Sequence, residues 1–223
     1  MFNLHLQALY RKYRNFTMVP KPVFVGNLRL VQEHSASIGA VVECGVWRGG
    51  MSAAIAEVMG PEREYFLFDS FEGLPPAKDI DGPAALDWQR DTASPTYFDN
   101  CHADIAEARR AMAMSGAQNV RIVKGWFEDT VSSLPREMSI ALLRLDGDWY
   151  ESTMQCLTYL YPRVVDGGLI IIDDYYAWDG CARAVHDFLS STNSVCRLLQ
   201  SADGICYMIK KIPRGQTGKA QDT

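Results

Sequence analysis

From Ala40 onward the chain alternates short apolar runs with amphipathic stretches. AVVECGV (40–46), EYFLFDSF (64–71), NVRIVKGWF (119–127), SIALLRLD (139–146) and GGLIIIDD (167–174) are near-continuous apolar runs that predict five buried strands. Residues 52–59, 103–115, 152–161 and 181–190 carry helical spacing between or after them. Such alternation predicts an α/β fold with a doubly wound, Rossmann-like, mostly parallel sheet covered on both faces. VCRLLQ and GICYMIKK, around a Ser-Ala-Asp-Gly turn, predict a C-terminal antiparallel hairpin.

Before this core, Phe2, Leu6, Leu9, Tyr13 and Phe16 recur at three- and four-residue intervals, the spacing of an amphipathic helix whose apolar face needs a partner in this chain or another copy. TMVPKP interrupts it, and residues 23–37 resume as helix until Gly39. Residues 1–38 therefore form an N-terminal helical cover, residues 39–212 the core and residues 213–223 a polar, aperiodic, frayed tail. Within the core, residues 72–100 are a long insertion rich in Pro, Asp and Gly that nevertheless keeps Leu86, Trp88, Tyr97 and Phe98. Those aromatics favour a lid over a linker.

Composition narrows the partners. A net charge of -5 over 223 residues disfavours nucleic acid, which needs clustered Lys and Arg. The six cysteines show neither CxxC pairing nor zinc spacing, which fits a reducing cytoplasm. The apolar runs are too short to span a bilayer, and no signal-peptide pattern opens the chain. A cytoplasmic protein acting on a small molecule is expected, with a homo-oligomer expected from the apolar face of residues 2–16.

Two stretches carry chemistry. In VVECGVWRGGMS the first strand runs through Gly45, Gly49 and Gly50 into a helix, where close backbone approach and a helix N-terminus suit a ligand. The spacing is G-x-x-x-G-G rather than the dinucleotide G-x-G-x-x-G, and Glu43 with the open turn suits a ligand bearing an amino acid end. Asp69 closes the second strand, where an acid can accept from a ribose diol, and Gly125, Trp126 and Phe127 at the third strand mouth can flank an adenine. Together these predict a nucleoside cofactor. The second stretch runs from Leu142 to Tyr176, where Asp146 and Asp148 end one apolar strand and Asp173 and Asp174 end another. Four acids at buried strand ends require a cation among them, and a divalent metal answers that need.

VVECGVWRGGMS, LFDSFEGLP, LRLDGDWYEST and LIIIDDYY, in that order over residues 41–210, resemble the macrocin O-methyltransferase (TylF-like) family. KPVFVGNLRLVQ keeps a Gly-Asn-Leu but not the charged residues of the family's pattern. The resemblance implies the methyltransferase variant of the doubly wound fold and transfer of a methyl group from S-adenosyl-L-methionine to a sugar hydroxyl on a glycosylated natural product, with Mg2+. It implies Asp146, Asp173 and Asp174 as metal ligands and Asp148 as general base. The cofactor contacts it implies are Glu43, Gly45, Val46, Trp47, Gly49, Ser52, Asp69, Ser70, Gly125, Trp126, Phe127 and Asp146. A catechol-like aromatic diol would chelate the same metal, and a non-catalytic nucleoside-binding protein of this fold is the alternative from another class.

Overall fold

A computed structural model describes residues 2–212. Seven strands form one sheet: β1 (Ala40–Cys44), β2 (Glu64–Asp69), β3 (Asn119–Lys124), β4 (Ile140–Leu145), β5 (Val164–Ile172), β6 (Leu199–Gln200) and β7 (Cys206–Ile209). Their order is β3-β2-β1-β4-β5-β7-β6, parallel except where β7 runs antiparallel to both neighbours. The expected five strands and closing hairpin are all present, with β6 reduced to two residues. The strand order reverses between β1 and β4, the crevice where open α/β sheets bind ligands.

Both faces of the sheet are covered. Val41, Leu67, Leu142 and Ile171 point toward α1 (Phe2–Tyr13), α2 (Lys21–Glu33), α3 (Gly50–Met59) and the later α5 (Ile105–Ser115). Val42, Phe68, Leu143 and Ile172 point the other way, under α7 (Tyr150–Leu160) and α8 (Asp179–Ser191). Burial of consecutive residues on opposite faces is why these strands read as unbroken apolar runs. Helix α2 starts two residues earlier than its apolar spacing predicts, because Pro22 is tolerated in a first turn, where its missing N–H has no partner to lose.

The amphipathic N-terminus finds its partner inside the chain. Leu6, Leu9, Tyr13 and Phe16 are buried against α2 and α3, and the Tyr13 hydroxyl donates to Glu57 of α3. The apolar spacing that raised the expectation of a second copy is thus satisfied by intramolecular packing. The tail at 213–223 lies outside the described residues.

The insertion is folded rather than open. It contains the helix α4 (Pro83–Arg90), and Gln89 on that helix ties its two ends together, accepting from Ala77 N at 2.7 Å and donating to Pro75 O at 2.9 Å and to Asn100 Oδ1 at 3.1 Å. Phe98, Asp99, Asn100 and Cys101 all have positive φ (50°, 54°, 53° and 62°). Asn100 holds this left-handed turn in place: its side chain donates to Leu74 O at 2.8 Å, and its carbonyl accepts from Leu74 N at 2.9 Å. α6 (Phe127–Thr130) follows the third strand mouth. No helix among the described residues is long and apolar enough to cross a membrane.

Candidate functional site

The carboxyl ends of β1, β2, β4 and β5 open into a cavity of about 440 Å³. Gly45 is what lets β1 and β4 end side by side. Its φ of 87° is left-handed, and a Cβ there would lie 1.6 Å from the Asp146 carbonyl oxygen. Next to it, Asp69 at the end of β2 accepts backbone N–H groups from Val46 (2.6 Å), Trp47 (2.8 Å) and Phe71 (2.6 Å). Burial pushes its carboxyl up, and these three donors pull the other way. Asp69 therefore clamps the glycine loop to β2 while still facing the cavity.

Of the residues expected from the sequence, Gly45, Trp47, Asp69, Ser70, Gly125, Trp126, Phe127, Asp146, Asp148, Asp173 and Asp174 all line this cavity. Glu43, Val46, Gly49 and Ser52 stand behind its wall. Glu43 and Ser52 are each 1% exposed, and Ser52 donates its hydroxyl to Glu43. Met18, Val19 and Pro20 of the N-terminal connector, Trp88 and Phe98 of the insertion, and Trp178 also line the cavity.

The cation beside the acids is Arg144. It sits on β4 opposite Glu43 of β1 and is 1% exposed. Nη1 lies 2.6 Å from Glu43 Oε1 and 2.7 Å from Asp146 Oδ2, while Nη2 lies 2.7 Å from Asp173 Oδ1. The last contact is close but misaligned for a hydrogen bond, so Nη2 and Asp173 Oδ1 attract as charges without a shared proton. Burial works against the charged guanidinium, but Asp173, Asp146 and Glu43 outweigh it and hold Arg144 protonated. The sequence signal was available: two buried apolar strands, AVVEC and ALLRL, each carry one charge of opposite sign.

One guanidinium does not balance five carboxylates. Burial, with Asp173 and Asp148 adding repulsion, pushes the Asp146 carboxyl up against the pull of Arg144. Asp174 is raised by burial and by Asp148, Asp146 and Asp173. Asp148 is pushed up to about 6, chiefly by burial, with the Trp178 indole opposing. Ligand oxygens of Asp146, Asp148 and Asp174 lie within 4.8 Å of one another. Asp173 faces the same cavity with its Oδ1 turned to Arg144. The side chains of Asp146 and Asp173 keep 27% and 15% exposure, so a ligand can reach them. An all-oxygen set with surplus negative charge fits a hard divalent cation such as Mg2+.

Asp148 itself is fixed from three sides. Its φ of 57° is left-handed, which Asp tolerates better than most residues. Its N–H donates to Asp174 Oδ2 at 3.0 Å, and its Oδ1 accepts from Trp178 Nε1 at 2.8 Å. Trp178 was not foreseen, since it lies four residues past Asp174 in a loop with no periodicity to place it.

The chain is similar to known proteins over most of its length. Residues 26–211 match the macrocin O-methyltransferase (TylF) family. The chain is 36% identical over 156 residues to mycinamicin III 3''-O-methyltransferase of Micromonospora griseorubida, a match covering 67% of this chain and 60% of the relative. It is 36% identical over 176 residues to demethyldecarbamoylnovobiocin O-methyltransferase of Streptomyces niveus, covering 76% of this chain and 65% of the relative. The chain thus spans about three-fifths of the length of these relatives. Among solved structures, the O-methyltransferase NovP superposes with a TM-score of 0.71 at 31% identity, covering 88% of this chain and 83% of NovP. A calicheamicin methyltransferase shares the fold, with a TM-score of 0.60 at 24% identity over 92% of this chain and 90% of its own. By the match over 26–211 and its ordered strand-end motifs, the chain belongs to the macrocin O-methyltransferase family.

Proposed function

We propose that this chain transfers a methyl group from S-adenosyl-L-methionine to a sugar hydroxyl of a glycosylated natural product, with Mg2+ held by Asp146, Asp173 and Asp174. The observation that carries this reading is Asp148, a carboxylate held by an indole N–H among three further acids, in the cavity at the strand-order reversal. The names of the relatives supply the acceptor class: one acts on mycinamicin III at a 3'' oxygen, another on a rhamnosyl tetracenomycin.

When bound, the cofactor would supply an electrophilic methyl, and the metal would make a neighbouring acceptor hydroxyl more acidic. The chain's own residues do the rest. Asp69 holds the glycine loop against β2, so that Gly45 and Trp47 present a fixed surface to the cofactor. Asp148 is placed to take the acceptor hydroxyl proton, so that the oxygen could accept the methyl while the sulfonium leaves as a neutral thioether, a role worth about 10²–10⁴-fold. Arg144 keeps Asp146 and Asp173 in place from behind. Trp88, Trp178 and Phe98 bound the acceptor side and restrict water there.

A second reading of the metal set rests on the mutual approach of Asp146, Asp148 and Asp174, which would make Asp148 a ligand. Asp148→Asn separates the two. As base, its loss leaves magnesium affinity by calorimetry intact and removes turnover; as ligand, its loss weakens both. The overall reaction is tested by mass-detected methylation of a glycoside panel that includes mycinamicin III, beside a catechol, with and without EDTA. Full activity in chelator would remove the metal role. Methylation of the catechol alone would remove the sugar assignment.

A further inference from the structure

Three tryptophans pack around the acids. Trp88, Trp149 and Trp178 form a closed triad with centroid separations of 6.2 Å (Trp88 to Trp149), 6.0 Å (Trp88 to Trp178) and 5.2 Å (Trp149 to Trp178), each pair edge-to-face. Their three indole N–H groups have different destinations. Trp88 donates to Thr96 O at 3.1 Å and Trp149 to Pro75 O at 2.9 Å, both within the insertion. Trp178 donates to Asp148 Oδ1 at 2.8 Å. Two members are thus anchored to the insertion backbone, and the third reaches the acid.

Resting on the assignment of Asp148 as the base, we propose that Trp178 is a positioning residue for that base, and that Trp88 and Trp149 lock its ring in the orientation that aims the N–H. A carboxylate has two oxygens that exchange roles when the side chain rotates. The Asp148 backbone is already committed by its left-handed φ and by its N–H bond to Asp174. The indole bond fixes what remains, so that Oδ1 is occupied and Oδ2 is left to receive the proton. Indole is suited to this because it donates one hydrogen bond, has no acceptor, and stays uncharged. Trp149, 2% exposed, supplies an immobile edge, and Trp88 makes the orientation depend on the insertion being folded.

The chain has five tryptophans, few enough that the indole N–H signals of the full-length protein can be assigned by single substitutions. Trp178→Phe, which keeps a ring in the triad and removes the donor, identifies the Trp178 signal by its disappearance. Asp148→Ala is then expected to move that signal upfield while the other four stay in place. A Trp178 signal that does not move overturns the proposal, with no turnover needed to see it. On the glycoside that the panel identifies, Trp178→Phe is expected to lower kcat by about 10- to 100-fold, the scale of one hydrogen bond to a charged group, with both KM values unchanged. Wild-type kcat, or a loss that falls on KM instead, also overturns it. A fully active Asp148→Asn sinks the base assignment itself. A panel with no methylated glycoside sinks the function, while the indole shift still decides the hydrogen bond.

Discussion

Glu43 and Arg144 stand opposite each other on adjacent parallel strands, 101 residues apart in sequence, with Arg144 Nη1 2.6 Å from Glu43 Oε1. Both are about 1% exposed. The pair ties the base of the glycine loop to the base of the acid cluster, because the same Nη1 also reaches Asp146. Through Arg144, Glu43 helps fix the floor on which Asp146 stands.

Arg144→Met should therefore cost far more than its hydrophobic gain. It strands Glu43, Asp146 and Asp173 without their buried cation, and breaking such a pair typically costs about 3–5 kcal/mol. For a chain of this size that is a fall in Tm on the order of 10 °C. The companion Arg144→Met/Glu43→Gln should recover part of the loss, since it removes one of the stranded charges. A single variant that melts with the wild type would mean that the acids take up protons without consequence.

The sequence made the sheet legible and the wiring of its site only partly so. Strands such as LLRL and LIII are buried on both faces, so each is visible without knowing its neighbours. The same holds for the four strand-end acids and the glycine loop, which need only local reading. Arg144 escapes local reading because its meaning depends on the β1–β4 register, which pairs it with Glu43. Trp178 depends on the insertion folding back, which local pattern does not encode. The apolar face of residues 2–16 was visible, but whether it packs on this chain or on a second copy is a question of tertiary geometry.

The acid cluster sets a pH signature. Burial lifts Asp148 to about 6 and raises Asp146 and Asp174 as well. A carboxyl whose folded pKa exceeds its unfolded value of about 3.9 binds more protons folded than unfolded between the two. For Asp148, stability of the metal-free protein therefore falls as pH climbs through roughly 4 to 6, and stays lowered above that window. Magnesium binds the ionised carboxylates of the folded state, so it should raise Tm more at about pH 7.5 than at about pH 5. Thermal melts at both pH values test this. An equal rise at both, or none, counts against the acids as ligands.

The insertion is pinned to the start of α7 through a contact that only glycine permits. Asp81, 3% exposed, accepts from the Tyr150 N–H at the start of α7 at 2.7 Å and from Lys78 N at 2.8 Å. Gly180 closes over it, and a Cβ there would lie 2.4 Å from Asp81 Oδ1 and 3.0 Å from Tyr150 N. Gly180→Ala should push Asp81 off the helix start and loosen residues 72–100 while the sheet stays intact. Tryptic cleavage after Lys78 and Arg90 should accelerate, and the Trp88 contacts should weaken with it. Asp81→Ala should do the same by removing the acceptor. Because both act through one contact, the double variant should be cut little faster than either single. Additive acceleration would mean that Gly180 and Asp81 hold the insertion independently. A Gly180→Ala protein as resistant as the wild type would show that the Asp81–Gly180 contact is not what holds the insertion.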